Sequence, residues 1–230
     1  MKILGLIGGT SWVSTQDYYR NLNRGIQEAL GGVASAELIL YSVNFQEFKD
    51  RFERDDWEGV CQQLITIARK LEISGATAIV LCANTPHRVA PEIRAKINIP
   101  LLHIVDAVGE KILEKGLIKV GLLGTRSTME FGFYQEILGK LGIEVLIPDQ
   151  LDCDFLDHNI YEELTRDIFT QESREKYKEI IDKLKEQGIE GIIYGCTEIP
   201  ILLKDWDSGI PIFDTLKIHC DSIIHFALGD

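Results

Sequence analysis

The sequence predicts an α/β fold made of two similar halves, each a parallel sheet flanked by helices. Three observations carry this reading. Short aliphatic runs alternate with longer segments of helical period along the whole chain. The strand-like runs are continuously apolar, as expected of parallel strands buried on both faces. The pattern of the first half also recurs in the second. With 230 residues, 45% of them apolar, the chain is long enough for one large domain or two small ones.

Taken in order, the expected strands are Lys2–Ile7, Glu37–Val43, Thr77–Cys82, Lys119–Leu123, Glu144–Ile147 and Glu190–Tyr194. Between them, Trp57, Val60, Cys61, Leu64, Ala68 and Leu71 follow the i, i+3, i+4, i+7 spacing of one helix face. Tyr177, Ile180, Ile181 and Leu184 follow it again. No low-complexity stretch interrupts the alternation.

The repeat is legible without a gap where Gly75 to Thr85 lies over Gly188 to Glu198, which sets Ala83 against Cys196. Leu6-Ile7-Gly8-Gly9-Thr10 resembles Leu122-Leu123-Gly124-Thr125, and Ile99-Pro100 answers Ile210-Pro211. The offsets run from about 111 to 115 positions, half the chain. The expected division is residues 1–104 plus 212–230 as one domain and 105–211 as the other, the last segment returning to the first domain.

Composition excludes several classes of function. With 36 acidic and 24 basic side chains the net charge is −12, which argues against a phosphate-tracking nucleic-acid surface. Apolar runs are strand-sized, far short of the ~20 residues of a membrane helix. The apolar run after Lys2 stops at Gly8-Gly9 without a small-residue cleavage site, so no secretory leader is expected. Five cysteines without CxxC pairing argue against a disulfide framework or zinc site and for a reduced cytoplasm. Gly5, Gly8 and Gly9 match neither a Walker loop nor GxGxxG, which leaves a nucleotide site weakly supported.

In open parallel sheets, ligands bind beyond the carboxyl ends of the strands. Gly9-Thr10-Ser11, Ala83-Asn84-Thr85, Gly124-Thr125-Arg126 and Cys196-Thr197-Glu198 occupy that position. Exposed N–H groups with Thr or Asn side chains can receive a small carboxylate. The same residues are also good helix caps, and either reading fits any single loop. Four such loops at repeat-related positions favour a receptor, with two facing sets enclosing one small ligand.

Cys61 and Cys220 lie on apolar helical stripes and read as core. Cys153, in Asp152-Cys153-Asp154, is expected to have a raised pKa. Cys196 ends a buried strand just before an expected helix start, where the dipole would favour thiolate; chemical and structural readings both stand. His219 and His225 are six apart and cannot share a metal on one helix face. His87 could orient its loop or lie at the surface, and His103 and His158 have no companion pattern.

At these loops the chain resembles the cofactor-independent aspartate/glutamate racemase family. The resemblance spans essentially the whole sequence: Ile7-Gly8-Gly9-Thr10-Ser11-Trp12, Tyr41-Ser42-Val43-Asn44-Phe45, Ala83-Asn84-Thr85-Pro86-His87, Leu123-Gly124-Thr125, Gly195-Cys196-Thr197-Glu198 and Phe213-Asp214-Thr215. Glu198 after Cys-Thr looks like the aspartate branch. The resemblance implies pseudo-symmetric domains with the active site in the cleft between them, an acidic amino acid or dicarboxylate as substrate, no pyridoxal phosphate or metal, and a homodimer. It implies two cysteines on opposite faces of the substrate's α-carbon, one removing the proton and the other delivering one.

Here the sequence departs from the family. The position of the first family cysteine is Ala83, which can carry no proton; its neighbour Cys82 should point to the other face of the strand and could serve only if the chain twists there, which leaves Cys82, a water or another polar group as the missing partner. Phe52 stands where relatives often have Gln. Cys196 is therefore the expected catalytic residue. Thr10, Ala83, Asn84, Thr85, Thr125, Thr197 and Glu198 are expected around the substrate. Arg51 and Arg166 lie near positions where family members carry a substrate-binding Arg or Lys, so the resemblance makes them candidates for the distal carboxylate, with a solvated surface charge as the alternative reading; Arg126 is a weaker candidate. Three functions follow: a racemase of aspartate or a related acid, a one-base isomerase or decarboxylase of a small dicarboxylic acid, or a non-catalytic carboxylate-binding protein.

Overall fold

The computed structural model describes residues 1–229. It forms two compact units: Met1–His103 together with the chain from His219 onward, and Ile104–Ile218.

The first unit runs β1 (Leu4–Gly8), α1 (Trp12–Leu30), β2 (Leu38–Ser42), α2 (Phe45–Glu53), α3 (Trp57–Ile73), β3 (Ala78–Leu81), α4 (Ala90–Arg94) and β4 (Leu101–Leu102), with a 3-10 turn over Thr85–Val89 before α4. All strand pairs are parallel, in the order β2-β1-β3-β4. Leu4 faces Leu38 on one side and Ala78 on the other, which makes β1 a central strand, and all five of its residues are buried. The apolar stripe read from the sequence folds as α3. Asp56 caps it by accepting from Gly59 N, and Val60, Leu64, Ile67, Ala68 and Leu71 are buried. Full burial of a Val, Leu or Ile side chain contributes about 1.5–3 kcal/mol, so this stripe fixes the helix on the sheet more firmly than its cap does.

The second unit runs α5 (Ile104–Glu114), β5 (Lys119–Leu123), α6 (Arg126–Glu130), α7 (Phe133–Lys140), β6 (Glu144–Leu146), α8 (Gln150–Glu162), α9 (Gln171–Glu186), β7 (Gly191–Tyr194), α10 (Ile199–Leu202) and β8 (Ile212–Asp214). A 3-10 turn at Leu164–Arg166 precedes α9. Its sheet is also all parallel, ordered β6-β5-β7-β8. Each sheet thus places its first strand second and its third strand next to it. The last helix, α11 (Thr215–Leu228), carries the chain back into the first unit.

The strands expected from sequence form to within two residues at each end. β4 and β8 are additions, two and three residues long, each following an Ile-Pro pair. No described helix is long and apolar enough to cross a membrane.

Candidate active site

In the order β2-β1-β3-β4 the chain leaves β1 toward one edge and β3 toward the other. The carboxyl ends of β1 and β3 are therefore the switch point at which open α/β sheets hold ligands. The same argument selects the ends of β5 and β7. Those four ends carry the four loops picked out by sequence.

After β1, Gly9 has φ +91°, and a Cβ there would run into the Val43 backbone. Gly9 N donates to Thr15 Oγ1 over 2.8 Å, Thr15 Oγ1 donates to Ser11 O over 2.9 Å, and Ser11 Oγ caps α1 by accepting from Ser14 N. Thr10 is half-buried at the crest of this turn.

After β3, Cys82 is 1% exposed, and burial raises its thiol pKa far above the ordinary value. Its N–H donates to Ile7 O over 2.9 Å, and its carbonyl accepts from Ser14 Oγ over 2.8 Å. Cys82 thus carries a neutral side chain on a backbone tied to β1 and α1. Ala83 and Thr85 are half-buried and Asn84 is buried. Arg51 ion-pairs with Asp56, the residue that caps α3, and Phe52 stacks on Trp57 with ring centroids 5.0 Å apart.

In the second unit the loops after β5 and β7 lie side by side. Gly195 N donates to Leu123 O over 2.7 Å, and a Cβ at Gly195 would stand only 2.8 Å from that oxygen. Thr125 is buried with its Oγ1 3.2 Å from Thr128 Oγ1. Arg126 pairs with Asp154, and Arg166 pairs with Glu162 at 2.7 Å with more than half of its side chain exposed.

Cys196 is buried at the end of β7, and its Sγ donates to Glu198 Oε2 over 3.1 Å. Thr197 Oγ1 donates to the same oxygen over 2.7 Å. The expectation of a dipole-stabilised thiolate is corrected here. Burial, then the Glu198 carboxylate, hold the Cys196 thiol well above its ordinary pKa, and α10 is only four residues long. The resting sulfur is a neutral thiol that already has a carboxylate as proton acceptor. Tyr177, from α9, is fully buried, and its hydroxyl makes no hydrogen bond.

The other cysteines follow the sequence reading. Cys61 and Cys220 are buried, and burial followed by the surrounding carboxylates pushes Cys153 up to about 12. The reading missed a group of imidazoles. His87, His103 and His219 are all buried in the first unit, with the His87 ring centroid 4.6 Å from that of His103 and 5.6 Å from that of His219. Their distance along the chain hides the cluster from any pattern search.

The sequence profile of the Asp/Glu/hydantoin racemases matches residues 7–223, nearly the whole chain. The chain belongs to this family. It is 24% identical over 217 residues to the broad specificity amino-acid racemase RacX of Bacillus subtilis (strain 168), covering 93% of this chain and 92% of that one. Among solved structures, a candidate Asp/Glu racemase from Yersinia pestis superposes with a TM-score of 0.92 at 48% identity, covering 99% of this chain and 100% of the other. An aspartate racemase homologue from Pyrococcus horikoshii OT3 gives 0.85 at 38% identity, with the same coverage. This racemase-family chain therefore has the fold of its relatives, two parallel four-stranded sheets flanked by helices.

Proposed function

We propose that the chain moves the α-proton of aspartate or a related acidic amino acid without a cofactor, with Cys196 as the acid–base group. The observation that carries this reading is the contact of Cys196 Sγ with Glu198 Oε2. Passing the thiol proton to Glu198 leaves a thiolate beside a neutral carboxylic acid. The thiolate then takes the substrate's α-proton, and the electron pair left on carbon delocalises into the α-carboxylate. Such a step needs donors aimed at the growing charge, and Thr10, Asn84, Thr85, Thr125 and Thr197 are of the right type. Arg51 and Arg166 are the candidates for the distal carboxylate.

Ala83 favours a second reading, one-base chemistry, because no side chain at that position can carry a proton. Cys82, held neutral by burial, is a poor substitute. In the racemase reading water protonates the opposite face, and the hydroxide left behind takes the proton held by Glu198, which restores the starting thiol and carboxylate. In the one-base reading the same thiol returns the α-proton, or a carboxylate is lost as CO2 and the thiol protonates the carbanion.

The test is loss of the α-proton signal of L- and D-aspartate, each incubated separately in D2O. The racemase reading expects exchange of both enantiomers and none with Cys196→Ala. Exchange of a single enantiomer supports one-base chemistry. Exchange that survives Cys196→Ala removes Cys196 from the mechanism.

A further inference from the structure

Three successive carbonyls hold the loop after β3 in place. The Cys82 carbonyl accepts from Ser14 Oγ over 2.8 Å, the Ala83 carbonyl contacts His87 Nδ1 at 2.8 Å, and the Asn84 carbonyl accepts from His87 N over 3.0 Å. His87 supplies two of the three donors. A carbonyl can only accept, so the His87 ring carries its proton on Nδ1. Its Nε2 makes no hydrogen bond inside the protein, although the Leu102 and Asn84 carbonyls also lie near the ring. Trans peptide planes set each N–H opposite the preceding carbonyl. Tying down the Cys82 and Ala83 carbonyls therefore also fixes where the Ala83 and Asn84 N–H groups point.

The ring itself is fixed from behind. His219 Nε2 donates to Leu102 O over 3.1 Å, which leaves its Nδ1 to accept from Tyr18 Oη at 2.8 Å. His103 bonds the His87 backbone and packs edge-on to its ring at 70°. Burial first, then neighbouring charge from the other imidazoles and, for His103, from Arg94, keep all three imidazoles neutral, with His103 and His219 lowered to about 3. A buried apolar side chain here would leave the Ala83 carbonyl unpaired.

We propose that His87 is a positioning residue, clamping the Ala83–Asn84–Thr85 loop through the Ala83 carbonyl in the shape that receives the substrate. The proposal rests on the proton-transfer reading for its purpose and on the hydrogen bonds above for its geometry.

The test compares His87→Asn with His87→Leu. Asn places its amide nitrogen on Cγ, where histidine has Nδ1, so it keeps the donor; Leu fills space without one. Expected are a roughly tenfold faster deuterium exchange of the 82–87 backbone in the Leu variant and near wild-type exchange in the Asn variant. In aspartate α-proton exchange, KM should rise roughly tenfold in the Leu variant, with Asn restoring it. The 15N shifts of the wild-type His87 ring should report protonation at Nδ1. Protonation at Nε2, or equal loop exchange in the wild type and the Leu variant, overturns the clamp whether or not aspartate reacts. An intact clamp in a wild type that neither binds nor exchanges aspartate overturns the proposed function instead.

Discussion

The Cys196 thiol donates to the carboxylate of Glu198, two residues on, over 3.1 Å. The pairing explains how a buried sulfur could serve as a base, since its proton has a destination that needs no solvent. Glu198→Gln keeps an oxygen acceptor but removes the proton acceptor and the negative charge. We expect α-proton exchange to fall by about 10²-fold or more, the usual scale of acid–base assistance. The charge of Glu198 helps hold the thiol's pKa up, so its loss should shift thiol alkylation toward lower pH. Burial, the larger cause, remains and should keep the midpoint above that of a free cysteine. An unchanged alkylation profile would remove Glu198 from the thiol's environment.

Ala83→Cys supplies a proton carrier on the loop that lacks one. If the opposite-face proton otherwise comes from water, the new thiol should raise exchange of the slower enantiomer by about tenfold or more, leaving the faster one nearly unchanged. Separate NMR assays of each enantiomer check this. Equal rates before and after would favour the one-base reading.

The strand pattern and the four loops were legible because each depends on local spacing. Apolar runs mark the strands, although β2 and β6 at the sheet edges are only partly buried, and Gly-Thr, Asn-Thr or Gly-Cys-Thr marks where the four central ones end. β4 was not legible because Leu101–Leu102 is too short to show a period, and β8 little better, although the Ile-Pro pair before each was visible. The ionisation of Cys196 departs from the sequence expectation because a helix start shows in sequence while the depth of burial does not. His87, His103 and His219 are joined only by folding.

Arg51 is held by Asp56, whose carboxylate also caps α3 through Gly59 N. An arginine paired with a protein carboxylate is available to a substrate carboxylate only for the fraction of time that the pair is open. Asp56→Ser keeps a capping oxygen and removes the competing charge. Aspartate KM should fall severalfold with little change in melting temperature. An unchanged KM would mean that Arg51 serves only to join α2 to α3.

Asp152, 3% exposed, meets Lys183 at 2.8 Å and Lys176 at 3.1 Å. Burial raises its pKa, but hydrogen bonds from the two lysines outweigh that and leave it below the ordinary aspartate value. A carboxylate with a lowered folded-state pKa contributes stability that is complete above the unfolded value and lost as pH falls through the folded one. Asp152→Asn should therefore cost about 1.5 kcal/mol near neutrality, read as a melting temperature lower by a few degrees. The gap from wild type should close as pH drops below the ordinary aspartate range. A gap that does not change with pH would show that packing, and not charge, is responsible.

Tyr177 presents the opposite case, a polar group with no partner. Its ring packs edge-on to Phe155 with centroids 6.2 Å apart, and its buried hydroxyl makes no hydrogen bond. Burial, then the charge of Cys196 when ionised, hold the phenol far above its ordinary pKa, so it is a donor at every working pH. A buried donor without a partner costs about 1–3 kcal/mol. Tyr177→Phe removes that cost while keeping the ring, and the melting temperature should rise by a few degrees. After burial, the charge of an ionised Cys196 is the largest cause of that raised pKa, which makes Cys196 the anion to test as a partner for the hydroxyl. The same variant should therefore lose α-proton exchange by about tenfold while gaining stability. A gain in stability with unchanged exchange would reduce Tyr177 to a packing residue, and a loss of stability would mean that the hydroxyl has a partner in solution.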